Sequence, residues 1–399
     1  MLTLSRKIRQ IEQSPTVAIA ERLRRMQNSG IDVANLTAGE PDFPTPRHIK
    51  EAAIKAIEAN FTRYTPNQGS PDLIEAILRK LSLENELHFE PEQVLVSNGA
   101  KQSVFNALQA ICNKGDEIVL VSPYCPDYPE MVKLVDAVPV IVKTTTEKGF
   151  APDSRSVRRA VNQKTKAILL NSPNNPSGAV YSKSLFEEIA AIAKDAGIYV
   201  ISDEVYEKLN YGEVKHFSIG SLKNIRDQVI TINGLSMAFS MTGWRVGYMA
   251  GPTTVIEAAA SLQSQLTFSA SSIAQKASLA AFSGSMNSLD TMIEEFKRRR
   301  GFVVESLSNI RDVTIVEPKG TFFVFFDVKG VFGKKGGEQL IKNSVDLARY
   351  LLEHHHVATS PGSAFGDDSC LRISYACSMS DLEKGMMRLK AGVEALNHG

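Results

Sequence analysis

Short apolar runs recur through the middle of the chain, most ending in a polar residue or glycine. Gln93–Ser97 (QVLVS), Glu117–Ser122 (EIVLVS), Lys166–Ser172 (KAILLNS), Ile198–Glu204 (IYVISDE), Gln228–Gly234 (QVITING) and Arg245–Gly251 (RVGYMAG) predict buried strands. Between many of them the apolar positions fall at helical spacing. The segment Ser182–Gly197 opens on a serine suited to cap a helix and closes on a glycine suited to end one. Strand–helix alternation of this kind predicts an α/β fold, a mainly parallel sheet with helices on both faces. Past residue 285 the rhythm changes. A long charged helix (LDTMIEEFKRRRGFVVESLSNI) leads to TFFVFFDV and a helix–strand tail, which predicts a second, smaller α+β domain. The expected division is 1–45 as an N-terminal arm and part of the small domain, 46–285 as the large domain, and 286–399 as the small C-terminal domain.

At 399 residues the chain is too long for one minimal core, in keeping with two domains. Hydrophobic residues at 43% and charged residues at 22% fit a soluble globular protein, and a net charge of +1 gives no reason to expect nucleic acid or an acidic membrane as a partner. The run Lys297–Arg300 follows MIEEF and is expected to be the solvated face of a helix. The polar first fifteen residues lack the apolar stretch of a signal peptide, and no apolar run approaches the length of about 18 residues that spans a membrane. Four irregularly spaced cysteines form no disulfide or zinc pattern, so a cytoplasmic protein without metal is expected. His354–His356 is expected to be a surface segment, since three adjacent histidines cannot all face one metal from a regular element.

Polar motifs sit at the carboxyl ends of the expected strands, where open α/β sheets bind ligands. Ser97–Gln102 (SNGAKQ) turns from a strand into a helix, whose N-terminus attracts phosphate; an ordinary helix cap explains that stretch equally well. Arg245 is able to grip a phosphate with two N–H groups or to serve the structure. Asn171–Gly178 (NSPNNPSG) is more specific: its prolines stiffen a turn that aims Asn175. Asp203, ending an apolar strand, requires a partner: a helix cap, a salt bridge or a protonated ring nitrogen.

Taken together, LTAGEPDFPTP, YTPNQGSPDL, NSPNNPSGAVY, SDEVYEKLNY and MTGWRVGY make the chain resemble the class I aminotransferases that use pyridoxal 5'-phosphate, and among them the bacterial aspartate aminotransferases. The motifs occur in family order over nearly the whole length. The resemblance implies the fold type I architecture, with the large domain binding the cofactor, and a homodimer with active sites at its interface. It implies that Ala100 and Lys101 form the phosphate-binding turn, and that Arg245 and Ser236 contact the phosphate. Asn175 and Tyr206 would hydrogen-bond the phenolic oxygen, and Asp203 would keep the pyridine nitrogen protonated. Tyr64 would reach the phosphate of the partner's site. Gly39 would contact the substrate carboxylate by its backbone, and Arg372, in CLRISYA, would clamp the α-carboxylate with its planar fork. Lys101 and Thr16 would face a distal carboxylate, favouring aspartate and glutamate. Glu12, near the N-terminus, would repel the second carboxylate of prephenate.

Two positions depart from the family pattern. Cys125, in SPYCPDY, stands where many relatives place an aromatic ring over the pyridine, a loss of about 1 kcal/mol of stacking. Met237 stands at the Schiff-base lysine, and no lysine lies between Lys223 and Lys276 to replace it. Methionine fills the slot but neither tethers the cofactor nor carries a proton. Losing a positioned acid–base group costs roughly 10²–10⁴-fold, about 3–5 kcal/mol of barrier. The expected function is therefore an aminotransferase of aspartate or a related amino acid with 2-oxoglutarate, disabled by a Lys-to-Met exchange. The retention of most other cofactor positions favours this over a non-catalytic binding protein on the same scaffold. A β-lyase or decarboxylase is the alternative enzyme.

Overall fold

The computed structural model describes residues 3–9, 11, 14–212 and 214–398. Its centre is a seven-stranded sheet built from β1 (Val94–Ser97), β2 (Glu117–Ser122), β3 (Val138–Lys143), β4 (Thr165–Asn171), β5 (Tyr199–Asp203), β6 (Val229–Gly234) and β7 (Gly247–Ala250). The spatial order is β1-β7-β6-β5-β4-β2-β3. The neighbours from β6 to β3 run parallel, while β7 is antiparallel to both β6 and β1. Strand β3 was not expected from the pattern. Its first five residues (VPVIV) are apolar, but Pro139 among them has no N–H for a ladder and argues against a strand; at the sheet edge that missing donor is tolerated.

Successive residues of the central strands serve opposite faces. Leu120, Leu169, Ile201 and Ile230 enter one buried cluster, and Val119, Ile168, Val200 and Val229 enter the other. Each side chain so buried contributes about 1.5–3 kcal/mol, which fixes the register: a slip by one residue would exchange the two sets. Helix α1 (Ala100–Ile111) covers the first face and α3 (Lys183–Ala196) the second, with α2 (Asp127–Leu134) following β2. The limits expected for α3 are those found. Ser182 Oγ accepts the Leu185 N–H at 3.2 Å, and Gly197 closes the helix at φ 65°.

A second sheet, ordered Ser360–Pro361, Cys370–Ser374, Phe323–Asp327 and Thr314–Ile315, is antiparallel throughout. The N-terminal strand Ala34–Asn35 pairs in parallel with Val357–Ala358. The long helix Asn287–Ser308 carries the Lys297–Arg300 run, and here the expectation of a solvated face needs correction. Lys297 and Arg298 are solvated, but Arg299 is buried. It lies between the rings of Phe43 and Phe296 and bonds Asp42 Oδ1 at 2.7 Å and Glu295 Oε1 at 2.8 Å. The guanidinium tolerates burial because two carboxylates and two ring faces replace its water. Among the described residues, no helix is long and apolar enough to cross a membrane.

Candidate active site

The carboxyl ends of β4, β5 and β6 and the start of α1 surround a cavity of about 260 Å³. Of the residues singled out from the sequence, Gly39, Ala100, Lys101, Cys125, Asn175, Asp203, Tyr206, Ser236, Met237 and Arg245 line it. Sheet register brings the first of these together, since Asn171 of β4 pairs with Asp203 of β5. The Asn171 amide then ties the loop down. Its Nδ2–H donates to the Asp203 carbonyl at 3.0 Å, and its Oδ1 accepts the Asn175 N–H at 2.8 Å.

The start of α1 is an open anion cradle. Gly99 precedes the helix at φ 87° and offers no side-chain cap. A Cβ there would meet Arg245 Nη2 at 2.5 Å, and a Cβ at Gly247 would meet the Ala100 nitrogen at 2.2 Å, so both glycines are needed for this approach. The Arg245 guanidinium is steadied by the carbonyls of Thr242, at 2.8 Å, and Asn98, at 3.4 Å, and remains exposed. Uncapped helical N–H groups beside a guanidinium are chemistry suited to a phosphate.

Deeper in the cavity Asp203 is only 7% exposed. Burial pushes its carboxyl up from 3.8 to about 6, against a hydrogen bond from the Tyr128 hydroxyl, 2.6 Å from Oδ2, and one from the Val205 N–H. A buried carboxyl whose partners, the Tyr128 hydroxyl and the Val205 N–H, carry no charge fits a cationic ring nitrogen. Tyr206 is buried, and desolvation holds its hydroxyl well above the ordinary phenol range. Burial likewise pushes the Cys125 thiol up to about 12, with the Asp127 carboxylate adding to the effect. Lys101 Nζ forms an ion pair with Asp127 Oδ2 at 2.7 Å.

Arg372 belongs to the second sheet yet reaches this cavity through Asn175. Its strand Cys370–Ser374 lies between its neighbours so that Arg372 faces Phe325 on one side and Ser360 on the other. Nη1–H donates to Asn175 Oδ1 at 3.1 Å and Nη2–H to the Thr37 carbonyl at 3.1 Å, while Nε–H is buried without a partner. The guanidinium sits 4.2 Å from the Phe323 ring centre and 4.7 Å from that of Phe365. Burial lowers its pKa from 12.5 to about 10, which leaves it charged at neutral pH. A buried cation with a spare N–H is fitted to a carboxylate. The uncapped helix, the raised carboxyl and this cation together match the phosphate, ring nitrogen and bound amino acid expected of a pyridoxal phosphate site.

Two expected residues stand apart. The Thr16 hydroxyl is engaged with Ser14 Oγ at 2.8 Å, and Thr16 does not line the cavity. Tyr64 is 87% exposed and packs edge-on against Phe268, away from its own chain's cavity. Glu12 lies outside the described residues. Tyr128, Asp127 and Asn171 line the cavity and escaped the sequence reading. Asn171 could have been found by its place inside NSPNN. Tyr128 and Asp127 sit in a helical turn that only the packing of α2 against the sheet brings to Asp203 and Lys101.

Comparison with known proteins identifies this architecture. The family model "Aminotransferase class I and II" matches residues 31–389. The bifunctional aspartate aminotransferase and glutamate/aspartate-prephenate aminotransferase of Petunia hybrida is 45% identical over 395 residues, covering 98% of this chain and 82% of that protein. The aspartate/prephenate aminotransferase of Thermus thermophilus is 42% identical over 391 residues, covering 97% and 98%. Among solved structures, the aspartate aminotransferase of Rhizobium meliloti superposes with a TM-score of 0.96 at 37% identity, covering 100% of both chains. The Thermus thermophilus aspartate aminotransferase with maleate gives 0.92 at 41% identity, covering 98% of this chain and 100% of that one. By family model, by sequence and by fold over nearly its full length, the chain belongs to the class I and II aminotransferases, a family that depends on pyridoxal phosphate and includes the aspartate aminotransferases it is similar to.

Proposed function

We propose that the cavity is an aspartate-type aminotransferase site that binds pyridoxal phosphate and an α-amino acid but lacks the group that moves the α-proton. The observation that carries this reading is the lining itself. Met237 is part of it, and the lining includes a single lysine, Lys101, already paired with Asp127. When bound, the cofactor supplies an electron sink for the bonds at the substrate α-carbon.

The chain's own groups divide the work of binding. The start of α1 and Arg245, with Ser236 beside them, hold the phosphate. Asp203, ionised above about pH 6, holds a proton on the ring nitrogen. Tyr206 and Asn175 donate to the phenolic oxygen, and Arg372 fixes the α-carboxylate between two aromatic faces that exclude water. Gly39 lines the substrate side. The Met237 thioether has no proton to give or take, so the Cα–H bond of a bound amino acid stays intact. The missing acid–base step is worth roughly 10²–10⁴-fold in rate. The exposed position of Tyr64 supports its use in a partner's site, and so a homodimer.

A second reading, a natural binding protein on this scaffold, is favoured by Cys125, which lines the same cavity as Met237. Spectral titration separates the two. The purified chain binds pyridoxal phosphate reversibly, with no adduct fixed by borohydride at residue 237. Met237→Lys gains such an adduct and transaminates aspartate with 2-oxoglutarate. A Met237→Lys chain that attaches the cofactor yet transaminates nothing across a broad amino-acid panel would overturn the disabled-enzyme reading in favour of the binding protein.

A further inference from the structure

The side-chain end of the cavity carries a charge pair instead of a free cation. Lys101 Nζ is 2.7 Å from Asp127 Oδ2, and both residues line the cavity. Their side chains stay 59% and 42% exposed. Helix energetics explain only one of them. Asp127 occupies the first turn of α2, where a negative charge meets the positive end of the helix dipole. Lys101 occupies the first turn of α1, where a positive charge is disfavoured, so its position answers to something other than helix stability. The other charges in and beside the cavity have tasks under the proposed function: Arg245 for phosphate, Asp203 for the ring nitrogen, Arg372 for the α-carboxylate. Lys101 is the remaining cation, and Asp127 has already neutralised it.

We propose that Asp127 is a specificity-determining residue, an internal counter-ion that a substrate's side-chain carboxylate must displace from Lys101. The site then holds aspartate little better than its uncharged isostere asparagine. This rests on the reading of the cavity as an α-amino-acid site. A ligand carboxylate that reaches the Lys101 ammonium arrives within a few ångströms of a second carboxylate and shares the cation with it. At these partly solvated positions the repulsion corresponds to about a five- to tenfold change in affinity. Asparagine, with no side-chain charge, is spared it.

The test uses the full chain loaded with pyridoxal phosphate, titrated with aspartate and with asparagine while cofactor absorbance reports binding. The parent chain is expected to bind the two within about threefold of one another. Asp127→Asn is expected to tighten aspartate about five- to tenfold and leave asparagine within about twofold, and Asp127→Ala to do the same without an isosteric amide. Adding Lys101→Met to Asp127→Asn should abolish the new preference. If both Asp127 variants bind both amino acids at the parent's ratio, with only a lowered melting temperature, Asp127 merely starts its helix and the proposal is overturned. A parent chain preferring aspartate more than about tenfold overturns it too. If neither amino acid perturbs the bound cofactor in any variant, the amino-acid site reading itself fails and takes this inference with it.

Discussion

Replacing Asp203 with asparagine should stabilise the cofactor-free chain and weaken its hold on the cofactor. The carboxyl is buried in the free protein, and its pKa rises from 3.8 to about 6 because desolvation outweighs the Tyr128 and Val205 hydrogen bonds. The sign follows from proton linkage. An acid whose folded pKa lies above its unfolded value binds protons preferentially in the folded state, so it costs stability as pH rises through that interval. The penalty is absent below pH 3.8, grows up to about 6 and is constant above it. A shift of this size corresponds to about 3 kcal/mol, to order of magnitude. Asparagine carries no charge but has one oxygen for the two donors that the carboxylate accepts, the Tyr128 hydroxyl and the Val205 N–H, so it gives back part of the gain and at pH 8 Asp203→Asn should raise stability by about 1–2 kcal/mol. At pH 4 the gain should vanish. With pyridoxal phosphate the sign reverses. A charge-assisted hydrogen bond to the ring nitrogen, worth about 1.5–3 kcal/mol, is lost, and the dissociation constant should rise roughly 10- to 150-fold. Denaturant melts of the free chain from pH 4 to 8, paired with cofactor titrations at pH 8, measure both. A variant that is destabilised at pH 8 without cofactor, or that binds pyridoxal phosphate as tightly as the parent, would refute the reasoning.

Two further outcomes follow from the structure. In a Met237→Lys background, mixing a Tyr64→Phe chain with an Arg372→Ala chain should restore part of the activity, because one site of a mixed dimer then carries neither defect; no recovery would place Tyr64 in its own chain's site. At Glu207 burial opposes charge, but Lys80 and His216 hold it down at about 2, and Glu204 and Glu207 raise His216 despite its own burial. Glu207 should therefore lend stability above its ordinary value of 4.5 that is lost as pH falls towards 2, and His216 should lend stability below 6.5 that is lost as pH rises through its folded value. Stability against pH should lose its alkaline decline in His216→Gln and drop by about 1–3 kcal/mol at pH 7 in Glu207→Gln, which leaves the buried Lys80 ammonium with Asn85 Oδ1 at 2.7 Å and Glu84 at 3.8 Å; an unchanged alkaline arm would show that His216 is not the titrating group.

Periodicity determined most of the large sheet. The central strands are buried on both faces, so their apolar runs are continuous and legible, and the caps of α3 at Ser182 and Gly197 are local chemistry that the chain carries with it. Strand β3 escaped although it is apolar, because Pro139 within it reads as a break and only its place at the sheet edge makes the missing N–H harmless. Arg299 looked solvated because Glu295 and Phe296 on its own helix do not bury it by themselves; Asp42 and Phe43, which close over it, become neighbours only when they fold onto the long helix. The same distinction divides the site. Asn175, Asp203, Met237 and Arg245 follow strands and turns with local signatures, and sheet register alone gathers them. Arg372 comes from the second sheet, and its partners Thr37 and Asn175 lie 335 and 197 residues away. The Tyr128–Asp203 bond and the Lys101–Asp127 pair likewise join elements that sequence spacing does not relate. Residue type, cap and strand are fixed by neighbours along the chain. Which buried acid receives a hydroxyl, and which cation is already neutralised, depends on through-space distance and burial, and those exist only once the helices have packed on the sheet.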